Sequence, residues 1–146
     1  MTSENFYKQQ LTKCDRYLQT NPENSQLWYD RGDALANLGL YQQALASFDK
    51  AIELQPLNYA TWVFRGVVLI HLHRYQEALS SCNQALEIKP NDSEAWTFRG
   101  AALYNLGRQQ EAYRSYEKAL GKKEASPWRI KVWKFFDFFN RHSFQS

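Results

Sequence analysis

Cysteine, methionine, proline and glycine are all sparse in this chain, which holds two, one, four and six of them. Cys14 and Cys82 are too few and too far apart for a disulfide framework or a four-ligand zinc site, so a reducing, cytoplasmic setting is expected. No apolar run reaches the roughly 18 residues that a membrane-crossing helix needs. Met1–Gln10 is polar and lacks the apolar stretch of a secretory signal. There is no HExxH, no glycine-rich phosphate loop, no nucleophile elbow and no group of carboxylates around a histidine. His71 and His73 are two apart, so on a helix they point in different directions and cannot share a metal. No enzyme activity, metal or cofactor is therefore expected. Charge of one sign is missing too. Residues 1–121 hold 12 Lys and Arg against 13 Asp and Glu, leaving no positive stripe for nucleic acid.

Apolar residues make up 44% of the chain and aromatics 16%, enough for a packed core in a single domain of 146 residues. The aromatics are periodic. Trp28, Trp62 and Trp96 stand 34 residues apart, each followed at the same offset by Arg31-Gly32, Arg65-Gly66 and Arg99-Gly100. The same period carries Leu35, Leu69 and Leu103, then Ala44, Ala78 and Ala112, then Ala51, Ala85 and Ala119; Pro56 and Pro90 close the first two units. Three units result, 25–58, 59–92 and 93–126.

Within each unit the apolar residues recur at helical spacing in two stripes. Gly39 and Gly107 separate them, where a left-handed residue ends a helix, and His73 holds that place in the middle unit. Asn58 and Asp92 stand as N-caps. Each unit thus reads as helix, tight turn, helix. The small columns predict close helix crossings, with Gly32, Gly66 and Gly100 facing Ala44, Ala78 and Ala112. One such unit cannot bury both its stripes, so neighbours must stack.

These columns resemble the tetratricopeptide repeat, a 34-residue motif written W-x₂-L-G-x₂-Y, A-x₃-F, P. Here it reads Trp28-x₂-Arg31-Gly32-x₂-Leu35, Ala44-x₃-Phe48, Pro56. The Leu column is Arg, the Tyr column is Leu, and the Phe column becomes Cys82 and Tyr116. The spelling is similar to that of arrays abundant in bacteria, cyanobacteria in particular. The resemblance implies an all-α fold, a right-handed α-α superhelix of helix–turn–helix repeats with N- and C-terminal helical caps. The caps are residues 1–24, whose stripe Phe6, Tyr7, Leu11, Cys14, Tyr17 and Leu18 matches a second helix, and residues 127–146. Cys14 and Cys82 fall on the column of Phe48 and read as buried packing residues.

In that family the first helix of each unit lines a concave surface that holds partner proteins. Carried onto this chain, the groove comprises Tyr29, Asp33 and Asn37, with Gln26 and Asp30; then Val63, Phe64, Val67, Ile70 and His71; then Thr97, Phe98 and Tyr104, with Glu94, Ala101 and Asn105. The Lys, Asn and Arg clamp that grips chaperone C-termini in some members is absent, because those places hold Tyr29, Asp33, Phe64, Glu94 and Phe98. Asp33 and Glu94 would repel an acidic peptide. An apolar, aromatic middle suits a partner helix or extended segment with apolar anchors. The expected function is a protein–protein interaction scaffold.

Residues 122–146 differ from the rest, with six Lys and Arg against two acids. Trp128, Val132, Phe135, Phe136 and Phe139 form one helical face suited to capping the last repeat. Ile130, Trp133 and Phe138 lie off that face and point to self-association as a homodimer. The alternative is a membrane-surface adaptor using the basic, aromatic C-terminal helix.

Overall fold

In the computed structural model, which describes residues 2–121, the chain forms seven α-helices, and no strand occurs among the described residues. They are α1 (Ser3–Thr20), α2 (Ser25–Asn37), α3 (Tyr41–Leu54), α4 (Tyr59–His71), α5 (Tyr75–Ile88), α6 (Ser93–Asn105) and α7 (Gln109–Ala119). Helices α2 and α3, α4 and α5, and α6 and α7 pack as pairs, and α1, α3 and α5 each pack on the first helix of the following pair. The first helices also touch one another, α2 against α4 and α4 against α6, which places them along the inner side of a superhelix.

The sequence explains where the first helix of each pair begins and ends. Asn24, Asn58 and Asp92 accept hydrogen bonds from the backbone N–H groups of Leu27 (3.2 Å), Ala60 (3.1 Å) and Ala95 (2.9 Å), filling orphan donors at the N-termini of α2, α4 and α6. At the other end Gly39, His73 and Gly107 have φ of 75°, 58° and 80°. Each turn closes on the same pair of bonds, as in Leu40 N–H to Leu35 O (2.9 Å) and Gly39 N–H to Ala36 O (3.0 Å). His73 does without glycine, and its Nδ1 lies 2.6 Å from the Tyr75 hydroxyl.

The core runs unbroken along the array through Leu35, Ala44, Phe48, Leu69, Ala78, Leu103, Ala112 and Tyr116. Cys14 and Cys82 are buried in it, 5% and 0% exposed, and burial pushes the Cys82 thiol up to about 12, which keeps it inert. One packing expectation needs correction. The side chains covering the glycine column are Phe48, Cys82 and Tyr116 rather than the alanines, of which only Ala78 comes close, its carbonyl oxygen 3.5 Å from a Cβ built on Gly66. A Cβ on Gly32 would stand 2.7 Å from the Phe48 ring, and one on Gly66 would stand 2.9 Å from Cys82 Sγ. The motif's Gly and its Phe, 16 residues on, are therefore one contact, and the alanines pack beside it.

The arginine column also has a structural reason. Arg31 donates from Nε to Asp15 (2.7 Å) and from Nη1 to Ser47 (2.7 Å). Arg65 does the same with Asp49 (2.6 Å) and Ser81 (2.5 Å), and Arg99 with Asn83 (2.8 Å) and Ser115 (2.5 Å). Each guanidinium joins the second helix of the preceding unit to the second helix of its own. The three serines are fully buried, so the donor satisfies a hydroxyl that has left water. The indoles repeat with equal regularity: Trp28, Trp62 and Trp96 donate to the carbonyls of Pro22, Pro56 and Pro90, each at 2.8 Å.

Candidate functional site

The inner side presented by α2, α4 and α6 is the candidate site, and its centre is aromatic. Tyr29 meets Phe64 edge-to-face with ring centroids 5.7 Å apart, and both rings rest on the buried Phe48, at 5.9 and 6.3 Å. Tyr29, Phe64, Val67, Ile70, Phe98 and Tyr104 are half-buried, each with one side in the array and one side open. Ile70 and Tyr104 pack against the long core cluster, and Phe98 against the smaller cluster of Val63, Ala85, Leu86 and Ala95. Val67 belongs to neither cluster, so its half-burial comes from its place on the inner side.

Val63 is a correction. It is 2% exposed and packs among Ala85, Leu86 and Ala95, where no partner can reach it. Its column turns toward α5 and α6, because a helix of thirteen residues that contacts neighbours on two sides shows only a narrow stripe to the groove. Thr97 Oγ1 is engaged locally, donating to Ser93 O at 2.8 Å. His71 lies toward the edge and stacks on Tyr41 of α3, 4.4 Å between centroids and 4° from parallel. Desolvation, then the neighbouring His73, lowers its imidazole below the ordinary range. Tyr41 was not among the expected lining residues; it sits 30 residues from His71 on a second helix, outside the pattern that selects first-helix residues.

Carboxylates surround the aromatic centre. Asp33 is half-buried, and exposed Asn37 donates to it at 3.2 Å; Asp30 accepts from Gln26 at 2.8 Å. Burial, then the Asp30 charge, raises the Asp33 carboxyl. Burial pushes the Tyr29 phenol up to about 12, with Asp33, Asp30 and Glu94 adding to it, so acids from α2 and α6 act on one ring. The linkage sign follows. A carboxyl raised in the folded state binds protons more readily there than in the unfolded chain, so its ionisation destabilises the fold as pH rises through the raised value. Asp33→Asn is therefore expected to raise folding stability at neutral pH, by no more than about 1 kcal/mol for so open a group, and the melting temperature with it. The gain should vanish as pH falls below the carboxylate range; thermal melts from pH 3 to 7 check this.

Among the described residues no three of His, Cys, Asp and Glu are grouped to hold a metal ion, and no helix is long and apolar enough to cross a membrane. Ile130, Trp133 and Phe138, with the cap at 127–146, lie outside the described residues.

Two tetratricopeptide-repeat family models match the chain, one over residues 14–59 and 29–93 and the other over 93–123. The chain belongs to the tetratricopeptide-repeat family. Among solved structures it is similar to MamA, at 21% identity and a TM-score of 0.73 over 76% of this chain and 65% of that one. It is also similar to a MamA double mutant, at 26% identity and a TM-score of 0.78 over 94% of this chain and 75% of that one. A third is the first repeat domain of Spaghetti (RPAP3) bound to the HSP90 peptide SRMEEVD, at 21%, 0.69, and 80% and 93% coverage. The chain spans just under two thirds of the length of the first of these, so that likeness is one of fold. No curated protein matches it.

Proposed function

We propose that this chain is a binding module without catalytic activity, holding a peptide or helix of another protein on the inner face of α2, α4 and α6. The observation that carries this is the row of half-buried apolar side chains there. Tyr29, Phe64, Val67 and Phe98 keep one side open between the carboxylates of Asp30, Asp33 and Glu94. Apolar anchors of this kind supply most of the binding energy of an interface, while rim charges set orientation and on-rate. The peptide-bound Spaghetti domain supports the use of such a fold for peptide capture. Its acidic peptide does not suit the acids on this face. The unit limits 25–58, 59–92 and 93–126, the helical caps and a cytoplasmic location belong to the same reading.

Val67→Glu tests it with little damage to the core, because Val67 lies outside both clusters. Binding of the native partner, captured from the source cell on immobilised protein, is expected to fall at least tenfold, with far-UV circular dichroism unchanged. A desolvated, unpaired carboxylate inside an interface costs several kcal/mol, which is more than tenfold. Equal capture by the intact and substituted proteins would exclude the inner face.

A further inference from the structure

The third unit departs from the first two at three columns, and all three departures add positive charge in one place. Arg31 and Arg65 pair with Asp15 and Asp49, but Arg99 meets Asn83 there, whose amide oxygen accepts without cancelling the charge. Lys50 pairs with Glu53 at 3.2 Å, whereas the corresponding Lys118 has Gly121 three residues on. Ala46 and Ser80 give way to Arg114. The repeat makes each of these a comparison of like with like, so the excess charge is particular to this unit among the three.

The three cations meet at a cleft of about 210 Å³ between α6 and α7, lined by Trp96, Arg99, Glu111, Arg114 and Lys118. Lys118 Nζ stands 4.4 Å from the centre of the Trp96 ring and the Arg99 guanidinium carbon 5.5 Å, so one indole positions two cations. Glu111 is the one acid of the lining, and Arg108 already holds it through two bonds of 2.8 Å. Those bonds keep its carboxyl below the ordinary range, and the charges of Arg108, Arg99 and Arg114 add to the effect, so both arginines of the lining act at this point. Arg99 reaches Asn83 of α5 and Ser115 of α7, which sets the cleft among the second helices, away from the acids of the inner side. Like charges gathered round one ring repel, and an anion set between them removes that repulsion. Arg114 and Lys118 are exposed, so a free ion there keeps much of its water, while linked carboxylates gain by engaging more than one cation.

We propose that this outer cleft of the third unit binds an acidic segment of a partner protein, its aspartate or glutamate carboxylates held by Arg99, Arg114 and Lys118. It is a second surface, opposite in charge to the inner face and independent of it.

Fluorescein-labelled hexaglutamate, titrated with the full chain at low salt and followed by fluorescence anisotropy, tests this. Arg114→Glu with Lys118→Glu is expected to weaken binding by about tenfold or more, with the thermal melt unchanged because both side chains are exposed. If that protein melts early, Arg114→Gln with Lys118→Gln decides in its place, with an expected loss of about threefold or more. Lys13 and Arg16 line another cationic cleft, on α1, which has no aromatic ring in its lining. Lys13→Glu with Arg16→Glu makes the same change of charge there and should weaken binding less than about threefold. Val67→Glu, which tests the inner face, should leave hexaglutamate binding unchanged. Four results overturn the proposal: no binding at millimolar peptide, equal losses in the two charge-reversed proteins, displacement of the peptide by equimolar inorganic phosphate, or tighter binding of an oligo-dT strand through Arg114 and Lys118. The second would mean attraction by net charge alone, the third a site for a small anion, and the fourth a nucleic-acid surface.

Discussion

Truncation of Phe48 to alanine is expected to remove about 3–5 kcal/mol of folding stability, the usual cost of emptying an aromatic site in a close-packed core. Phe48 is 0% exposed, covers the face of Gly32, and supports the rings of Tyr29 and Phe64 from below. Its loss opens a cavity that the backbone cannot close, since α2 and α3 are held by the turn at Gly39 and by Arg31 on Ser47. Against a total of roughly 5–15 kcal/mol, the variant should melt early or fail to fold. The same column supplies the control. Cys82 fills this place in the next unit with a smaller side chain, so Cys82→Ala should cost a fraction as much. Urea denaturation followed by circular dichroism reads both. Equal losses would show that the Gly–Phe contact does not organise the repeat.

The second large effect concerns the guanidinium ladder. Arg65→Leu restores the residue that the family motif carries there, yet it is expected to destabilise this protein by about 1–3 kcal/mol. The reason lies in Ser81, whose hydroxyl is fully buried and accepts from Arg65 Nη1 at 2.5 Å. Removing the donor leaves that oxygen without the partner for which it was desolvated. The bond to Asp49 is a lesser part, because that carboxylate is 51% exposed and water competes for it. Arg65→Leu combined with Ser81→Ala should recover most of the loss, since both ends of the contact then become apolar. Ser81→Ala alone strands a charged donor and should cost more than the double substitution. A double-mutant cycle measures the coupling directly. Additive losses would reduce the ladder to surface decoration.

Much of this was legible in the residues. The 34-residue recurrence of Trp, Arg-Gly, Leu and Ala identified the helix pairs and their stacking. Local rules placed the caps at Asn58 and Asp92 and the left-handed residue at His73, because both depend on a few neighbouring residues and one backbone angle. The column shared with Phe48 places both cysteines in the core, and both are buried. Choosing groove residues was harder. A first-helix position can face its own second helix, the next unit or the inner side, and one residue separates these along a helix that turns 100° per step. Val63 and Phe64 show the difference, one sealed against Ala85 and Ala95 and the other open beside Tyr29.

The Asp15–Arg31–Ser47 ladder had a signal that periodicity alone did not turn into a contact. Asp15, Asp49 and Asn83 repeat at 34, as do the three serines, and each arginine stands 16 residues from both of its partners. Recurrence shows that a position matters to the repeat; it does not say which column touches which. That pairing, like the cover of Gly32 by Phe48 in place of Ala44, depends on how far one helix slides and rolls against the next. Only the packed tertiary structure sets that, because it must satisfy the volumes of every column at once. By itself the sequence determined the class of fold, the helix limits and the character of the inner face. Tertiary packing decided which of those side chains remain within a partner's reach.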